Sequence, residues 1–545
     1  MPDRIVAVYP SSECEKRRRL FGAFEELYDI RFVGVDADQL AGMDTAILFS
    51  AELPAVPPVN GREAKWLVYT GELDVSADRK GPITFGIGDE VDRCLRGRSL
   101  TEGRISQFRP IAPLPGDVVM ATRDLDALWI RRRRNGWSVD LVGCELQELG
   151  EDQILRDQFK PGQFFPVLAL THFLRDAFGE SIWQAPPLRA GYIVDDPNLH
   201  ATTYGYIDFG ELALHAKKHN YHIAMAMIPL DGWFTSRAAA RIFKEHSDQL
   251  SLLIHGNNHT KRELAQEISA DAIRAMLAQS LERVESFETK TGIKVWRVMA
   301  PPHGACFEPT MREMRRLAFD GIAVGRPYQG TLETAPQPAT ALWEPADLMA
   351  GGFPAVQRIA LTQWRDDPLF REEVVLYAFL GKPLILYGHH EDFISGFDLL
   401  AETAAQINSF GDVRWGPHSE IFETNYLTRS VEGTFHARLL SNRAKFRVEQ
   451  GAERIVVEPG IGIDLTLSPT LRWPDRAESL AQPVEVDLVA SGNGREREQS
   501  IEFRVTYSDQ IDPSNVASPR FDPRAMLRRV LTEGRDRLRP LVRRG

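Results

Sequence analysis

Two carboxylates stand side by side at Asp195 and Asp196, where an apolar run over residues 190–194 stops. Neighbouring side chains on a strand point to opposite sides. At a strand end the second carboxylate can hold a cation while the first faces a nearby water. Alone, such a pair equally reads as a helix cap or a turn. Further on, a second apolar run leads into His255 and His259, separated by Gly256, Asn257 and Asn258. The glycine lets the loop curl, so both imidazoles can converge on one ion. With one carboxylate they suit a divalent metal that keeps open positions for water. A third run, residues 295–300, ends in Pro301-Pro302-His303-Gly304. This stiff turn either offers backbone N–H groups to a developing oxyanion or serves only as a rigid corner. A fourth run, residues 383–387, ends in Gly388, His389, His390, Glu391 and Asp392. An imidazole placed there can protonate a leaving amine. His200, four residues past Asp196, is a candidate extra ligand or substrate contact.

In this order the four pieces resemble the NodB-homology domain of polysaccharide deacetylases, carbohydrate esterase family 4. That pattern has an Asp-Asp pair, an HxxxH segment, a Pro-Pro-aromatic-Gly turn and a late Leu-x-x-His. Here they correspond to Asp195-Asp196, His255 to His259, Pro301 to Gly304, and Leu386 to His389. The resemblance covers roughly residues 188–400 and implies that Asp196, His255 and His259 bind a divalent metal. Zinc comes first, with cobalt, nickel, iron and manganese as alternatives. It also implies Asp195 as general base, His389 as general acid with His390 as the other choice, and substrate contacts from Pro302, His303, Gly304 and His200. The expected reaction removes an N-acetyl group from a sugar, nucleotide sugar or glycan precursor. Two alternatives stay open: an amidase acting on another C–N bond, and a glycan-binding module without catalysis. Three positions depart from the family pattern. Ala300 stands where an Arg supports the base, His303 where Tyr is usual, and Pro197 where Gly is usual. The resemblance is therefore to a divergent branch, in which Arg297 or Arg326 would have to replace the missing guanidinium.

The elements that must position these residues alternate strand and helix. Apolar runs at 190–194, 223–228, 252–255, 295–300, 321–324 and 383–387 read as buried strands, with the clearest helix at 270–289. Polar groups clustered after strand ends fit an α/β barrel with its site at that face; a distorted (β/α) barrel of the deacetylase type is expected over 188–410. Residues 1–145 also alternate, with strands at 5–9, 30–35, 45–49, 66–69 and 84–87 and helices at 14–27 and 90–95. They predict an α/β domain on a parallel sheet, glutamine-amidotransferase-like or flavodoxin-like. Asn135-Gly136 marks a hairpin turn, and Arg131 to Arg134 read as solvated residues at it. A helical linker is expected over 146–187, its helix at 165–178. Period-two runs over 420–512 predict an antiparallel β-sandwich.

Bulk properties narrow the function classes. The chain has 545 residues, 43% apolar and 26% charged, with a net charge of -11. That is an ordinary soluble composition and argues against a nucleic-acid partner. No Walker loop occurs, and Gly86-Ile-Gly88 lacks the third glycine of a dinucleotide loop. The four cysteines form no CxxC pair, which predicts reduced thiols. No stretch reaches the length of a signal peptide or a membrane span, so the expected location is cytoplasmic. The last 30 residues hold nine Arg against three acidic residues. This tail, 513–545, is expected either to contact an anionic membrane peripherally, at the inner face, or to be disordered. Tyr204, Trp233 and Phe234 read as core rather than sugar-stacking residues, and His215, His219 and His222 as a solvated helix.

Overall fold

The computed structural model describes residues 4–543 except 51–63, 72–80, 104–107, 135, 326–338, 341–342, 448–453, 475 and 488–499. Arg326 and Asn135 lie outside the described residues. At the centre, seven strands form a closed parallel barrel. They are β1 (Arg189–Asp195), β2 (Ile223–Met227), β3 (Leu250–Ile254), β4 (Val295–Met299), β5 (Gly321–Val324), β6 (Phe353–Ala360) and β7 (Leu384–Gly388). Each pairs with the next, and β1 closes the ring by pairing with both β2 and β7. Nearly all of these strand residues are buried, as the unbroken apolar runs require of strands covered on both faces. The sequence reading located six of the seven. It missed β6, whose apolar run is interrupted by Gln357 and Arg358.

A helix seals the lower end of the barrel. This helix, α1 (His418–Glu423), sends His418 against Gly191 of β1 and Phe422 against Gly321 of β5. A Cβ on Gly191 would stand 2.9 Å from the His418 ring, and one on Gly321 would stand 2.2 Å from the Phe422 ring. Glycine at both places is what admits the plug.

The N-terminal sheet is mixed rather than parallel. Strands Arg31–Gly34, Ile5–Tyr9, Thr45–Phe49, Ala64–Tyr69 and Trp137–Val142 run parallel. Asp126–Arg134, Val118–Arg123, Gly81–Phe85 and Ser99–Glu102 then continue the sheet antiparallel. The 90–95 segment is a run of turns, not a helix. Arg131 is not solvated: it is buried and forked onto Asp140 at 2.7 and 2.9 Å. The helix Phe165–Phe178 lies where the apolar spacing placed it. One continuous apolar core joins this sheet, the helix and the barrel.

Toward the C-terminus two four-stranded sheets enclose a separate core containing Leu439, Phe446, Val457, Leu471 and Phe503. Their pairing is antiparallel except between Thr434–Leu439 and Arg454–Pro459, which run parallel. The basic tail is no loose segment in its described part. It forms the helix α2 (Pro523–Arg543), laid across the barrel mouth. The four cysteines are free thiols, with Cys94, Cys144 and Cys306 buried. No helix among the described residues is long and apolar enough to cross a membrane.

Candidate metal centre

The side chains singled out by spacing meet at the C-terminal ends of the barrel strands. β1 delivers Asp195 and Asp196, and β3 delivers His255 and the loop to His259. Asp196 Oδ1 lies 3.6 Å from His255 Nε2 and 3.1 Å from His259 Nε2. Asp196 and His259 hold positive φ angles of 80° and 55°, as does His303 at 58°. Non-glycine residues adopt this region at a cost, and such strain gathers at functional sites.

The donor set fits a divalent cation. Asp196 Oδ1 and His259 Nδ1 are buried without a hydrogen-bond partner, an expensive state for polar atoms unless something else satisfies them. His255 Nδ1 lies 2.7 Å from the Ala300 carbonyl. A carbonyl only accepts, so Nδ1 carries the proton and Nε2 keeps its lone pair toward Asp196. Burial holds both imidazoles below their usual range, with the proximity of His255 adding to the effect at His259, which falls to about 4. Both are uncharged at neutral pH, as metal ligation requires. Burial works to raise the Asp196 carboxyl, but His255, His259 and Arg529 outweigh it and bring it to about 2.

Asp195 is held differently. It is buried, and its Oδ1 accepts from Arg358 Nη1 at 2.8 Å. Arg358 is fully buried in β6, lies over the Tyr387 ring and donates through Nη2 to the Pro301 carbonyl at 3.3 Å. Burial works to raise the Asp195 carboxyl, but Arg358 first and His255 next hold it low. A guanidinium thus reaches Asp195 from β6. Arg297 is paired instead with Glu288 at 2.8 Å.

The loop carrying His259 is shaped by Glu263, which the sequence reading did not single out. Its buried carboxylate accepts from the backbone N–H groups of Asn257, Asn258, His259 and Thr260 at 2.6, 3.1, 3.0 and 3.4 Å. Gly256 has φ +65°, and a Cβ there would stand 2.0 Å from Glu263 Oε1 and 2.8 Å from Pro302 Cγ. Nothing in the sequence separates Glu263 from an ordinary surface glutamate.

The remaining expected residues divide. His303 stays at the mouth, its ring 5.3 Å from that of His259, with Pro302 and Gly304 in the same turn. His389 follows β7 and is exposed, and its proximity is the smallest of the causes that lower Asp195 and Asp196. His390 turns away from the triad, its Nε2 3.4 Å from Glu391 and 3.7 Å from Asp536. His200 has both ring nitrogens engaged, by Glu533 and by the Asp231 carbonyl, each at 2.8 Å. It therefore has no nitrogen left for an ion. His222 is not solvated but fully buried, between the Asp248 carbonyl and Ser251. Trp233 and Phe234 are not core: they are 55% and 49% exposed, whereas Tyr204 is buried.

Solved structures similar to part of the chain include deacetylases and carbohydrate esterases. Among solved structures the chain is similar to peptidoglycan deacetylase PdaC from Bacillus subtilis, at 14% identity, covering 44% of this chain and 92% of that one, with a TM-score of 0.26. It is similar to a family 4 carbohydrate esterase from Streptomyces lividans at 9%, 42%, 88% and 0.25. The same figures for a CE4 esterase of Streptococcus mutans are 12%, 42%, 86% and 0.25. No family model and no curated protein sequence matches the chain. The functional reading of this barrel therefore rests on its own site geometry.

Proposed function

We propose that the chain is a metal-dependent hydrolase that removes an N-acetyl group from a sugar, nucleotide sugar or glycan precursor. The observation that carries this is the unpartnered Asp196 Oδ1 facing two uncharged imidazoles beside the buried Asp195–Arg358 pair. A divalent cation, when bound, supplies Lewis acidity to the amide carbonyl and acidifies water. Asp196, His255 and His259 would hold it, with zinc, cobalt, nickel, iron and manganese all suited to the donor set.

Each remaining group then has one task. Asp195 takes the proton of the attacking water. Arg358 keeps that carboxylate ionised and aimed. His389 returns a proton to the departing amine nitrogen, which balances the cleavage. The Pro301 to Gly304 turn is where backbone donors would meet the oxyanion. A non-catalytic glycan module was favoured only by Ala300, and Arg358 removes that ground. An amidase on another C–N bond would use the same residues and is separated only by substrate.

The test uses the purified 545-residue chain. A stoichiometric divalent metal is expected, lost in Asp196→Ala, together with acetate release from a panel of N-acetyl sugars. Asp195→Asn should keep the metal and lose most turnover. Equal metal content in Asp196→Ala would sink the proposal. Cleavage of formamides or imides but not acetamides would move it to the amidase reading.

A further inference from the structure

The helix α2 has two unlike faces. Its inner face is tied to the rim of the metal centre. Ala525 is buried against Ile228 and Leu230. Arg529 forks onto Asp231 at 2.7 and 3.2 Å, and its Nη2 reaches the Asp196 carbonyl at 3.5 Å. Arg528 donates to the His259 carbonyl. Farther along, Glu533 bonds His200, and Tyr204 donates to Asp536 at 3.2 Å.

The outer face is apolar and uncovered. Leu527, Leu531 and Leu538 are 61%, 64% and 59% exposed, and Val530 is 48% exposed. At 3.6 residues per turn the three leucines fall within about 40° of one another, one straight stripe. Exposed Arg524, Arg535 and Arg539 line one edge of it, Arg535 beside Asp536 at 2.7 Å and Arg539 beside Glu391 at 2.6 Å. Two more exposed aromatics stand nearby: His200, which bonds Glu533 of α2, packs its ring 5.1 Å from Trp233 and 5.8 Å from Phe234.

We infer that this face docks on an anionic lipid bilayer and holds the barrel mouth against it. A leucine stripe edged by arginines is the pattern of a helix that lies in the plane of a bilayer interface. The arginines beside it can lay their stems along the acyl boundary and their heads among lipid phosphates. The charge complementarity is local. The whole chain carries -11, while its last 30 residues carry nine Arg against three acidic groups. An overall acidic protein is repelled from anionic lipid, so attraction must come from this segment. Trp233 and Phe234 add side chains of the kind that prefer the headgroup layer. Access from such a surface to a lipid-held glycan rests on the deacetylase reading; the docking itself does not.

Vesicle co-sedimentation of the full chain tests it. Vesicles of phosphatidylglycerol mixed with phosphatidylcholine should carry the protein down, and added salt should release it. The Leu527→Ser, Leu531→Ser, Leu538→Ser triple variant should lose roughly tenfold or more in affinity, with a thermal melt matching wild type. Asp196→Ala should sediment as wild type does, which separates this result from the metal centre. Equal sedimentation on phosphatidylcholine alone, or undiminished binding by the triple variant, would overturn the inference. So would a wild-type dimer that the triple variant abolishes, since the face would then belong to a second copy.

Discussion

Asp195 and Arg358 form a buried pair that the chain assembles from two strands, and the consequence is unequal for the two sites they serve. Arg358 bonds Asp195 and none of the three triad side chains, so the base depends on it more directly than the metal site does. Arg358→Met should therefore retain the metal but lower kcat roughly 10- to 100-fold, the usual cost of removing a group that orients a reactive residue. Leaving the buried Asp195 carboxylate uncompensated should also destabilise the fold by about 3–5 kcal/mol. Arg358→Lys keeps the charge but not the second hydrogen bond to Pro301, and it should recover part of both losses. Steady-state kinetics with metal analysis on both variants checks this, and full turnover in Arg358→Met would remove Arg358 from the mechanism. The triad and Asp195 were legible because apolar runs stopped at them. Arg358 was not, because it lies inside a strand, where a charge looks like an interruption of the pattern. Its one visible signal is that interruption: a lone Arg in an otherwise buried run needs a partner.

Among the elements, the loop after β3 carries the most consequence. Its curl was readable from Gly256, but what holds the curl was not, since hydrogen bonds from four backbone N–H groups to one carboxylate leave no periodic trace. Glu263→Gln replaces an acceptor-only group with one that presents two donors to those same N–H groups. The loop should loosen, and metal affinity should fall roughly 10- to 100-fold with the barrel intact. Competitive chelator titration measures the affinity, and hydrogen exchange at residues 257–260 should rise in parallel. Unchanged affinity would mean that the turn is built by Gly256 and packing alone. The same limit explains the N-terminal sheet. Alternation marked the 84–87 region as a strand, but apolar period reports burial and not which neighbour a strand pairs with. The Asn135-Gly136 turn did mark the antiparallel pairing of Asp126–Arg134 with Trp137–Val142, but not that Trp137–Val142 joins this hairpin to the parallel strands.

Across the whole molecule, the barrel is closed below by uncharged imidazoles and open above to chemistry, and this makes its stability depend on acid. His418 fills the lumen beside Gly191, faces His222 and Arg358, and has both ring nitrogens without a partner. Burial first, and then those like charges, lower it to about 3; burial lowers His222 to about 4. In the unfolded chain an imidazole titrates near about 6.5. Between that pH and the folded values the unfolded state binds more protons, so stability rises with pH. The contribution is complete above about 6.5 and is lost as pH falls toward about 4 and 3. Two such groups give a slope of roughly 2–3 kcal/mol per pH unit in that window. His255 and His259 add to the same slope, carboxylates held low by salt bridges add to it below about pH 5, and Glu344, raised by burial to about 8, opposes it. The informative quantity is therefore a difference: His418→Leu should reduce the slope by about one proton between roughly pH 5 and 6.5. Urea unfolding across that range gives both slopes. Parallel curves for the two proteins would mean that His418 takes up its proton in the folded barrel, and the plug would then have to be rearranged around a charge.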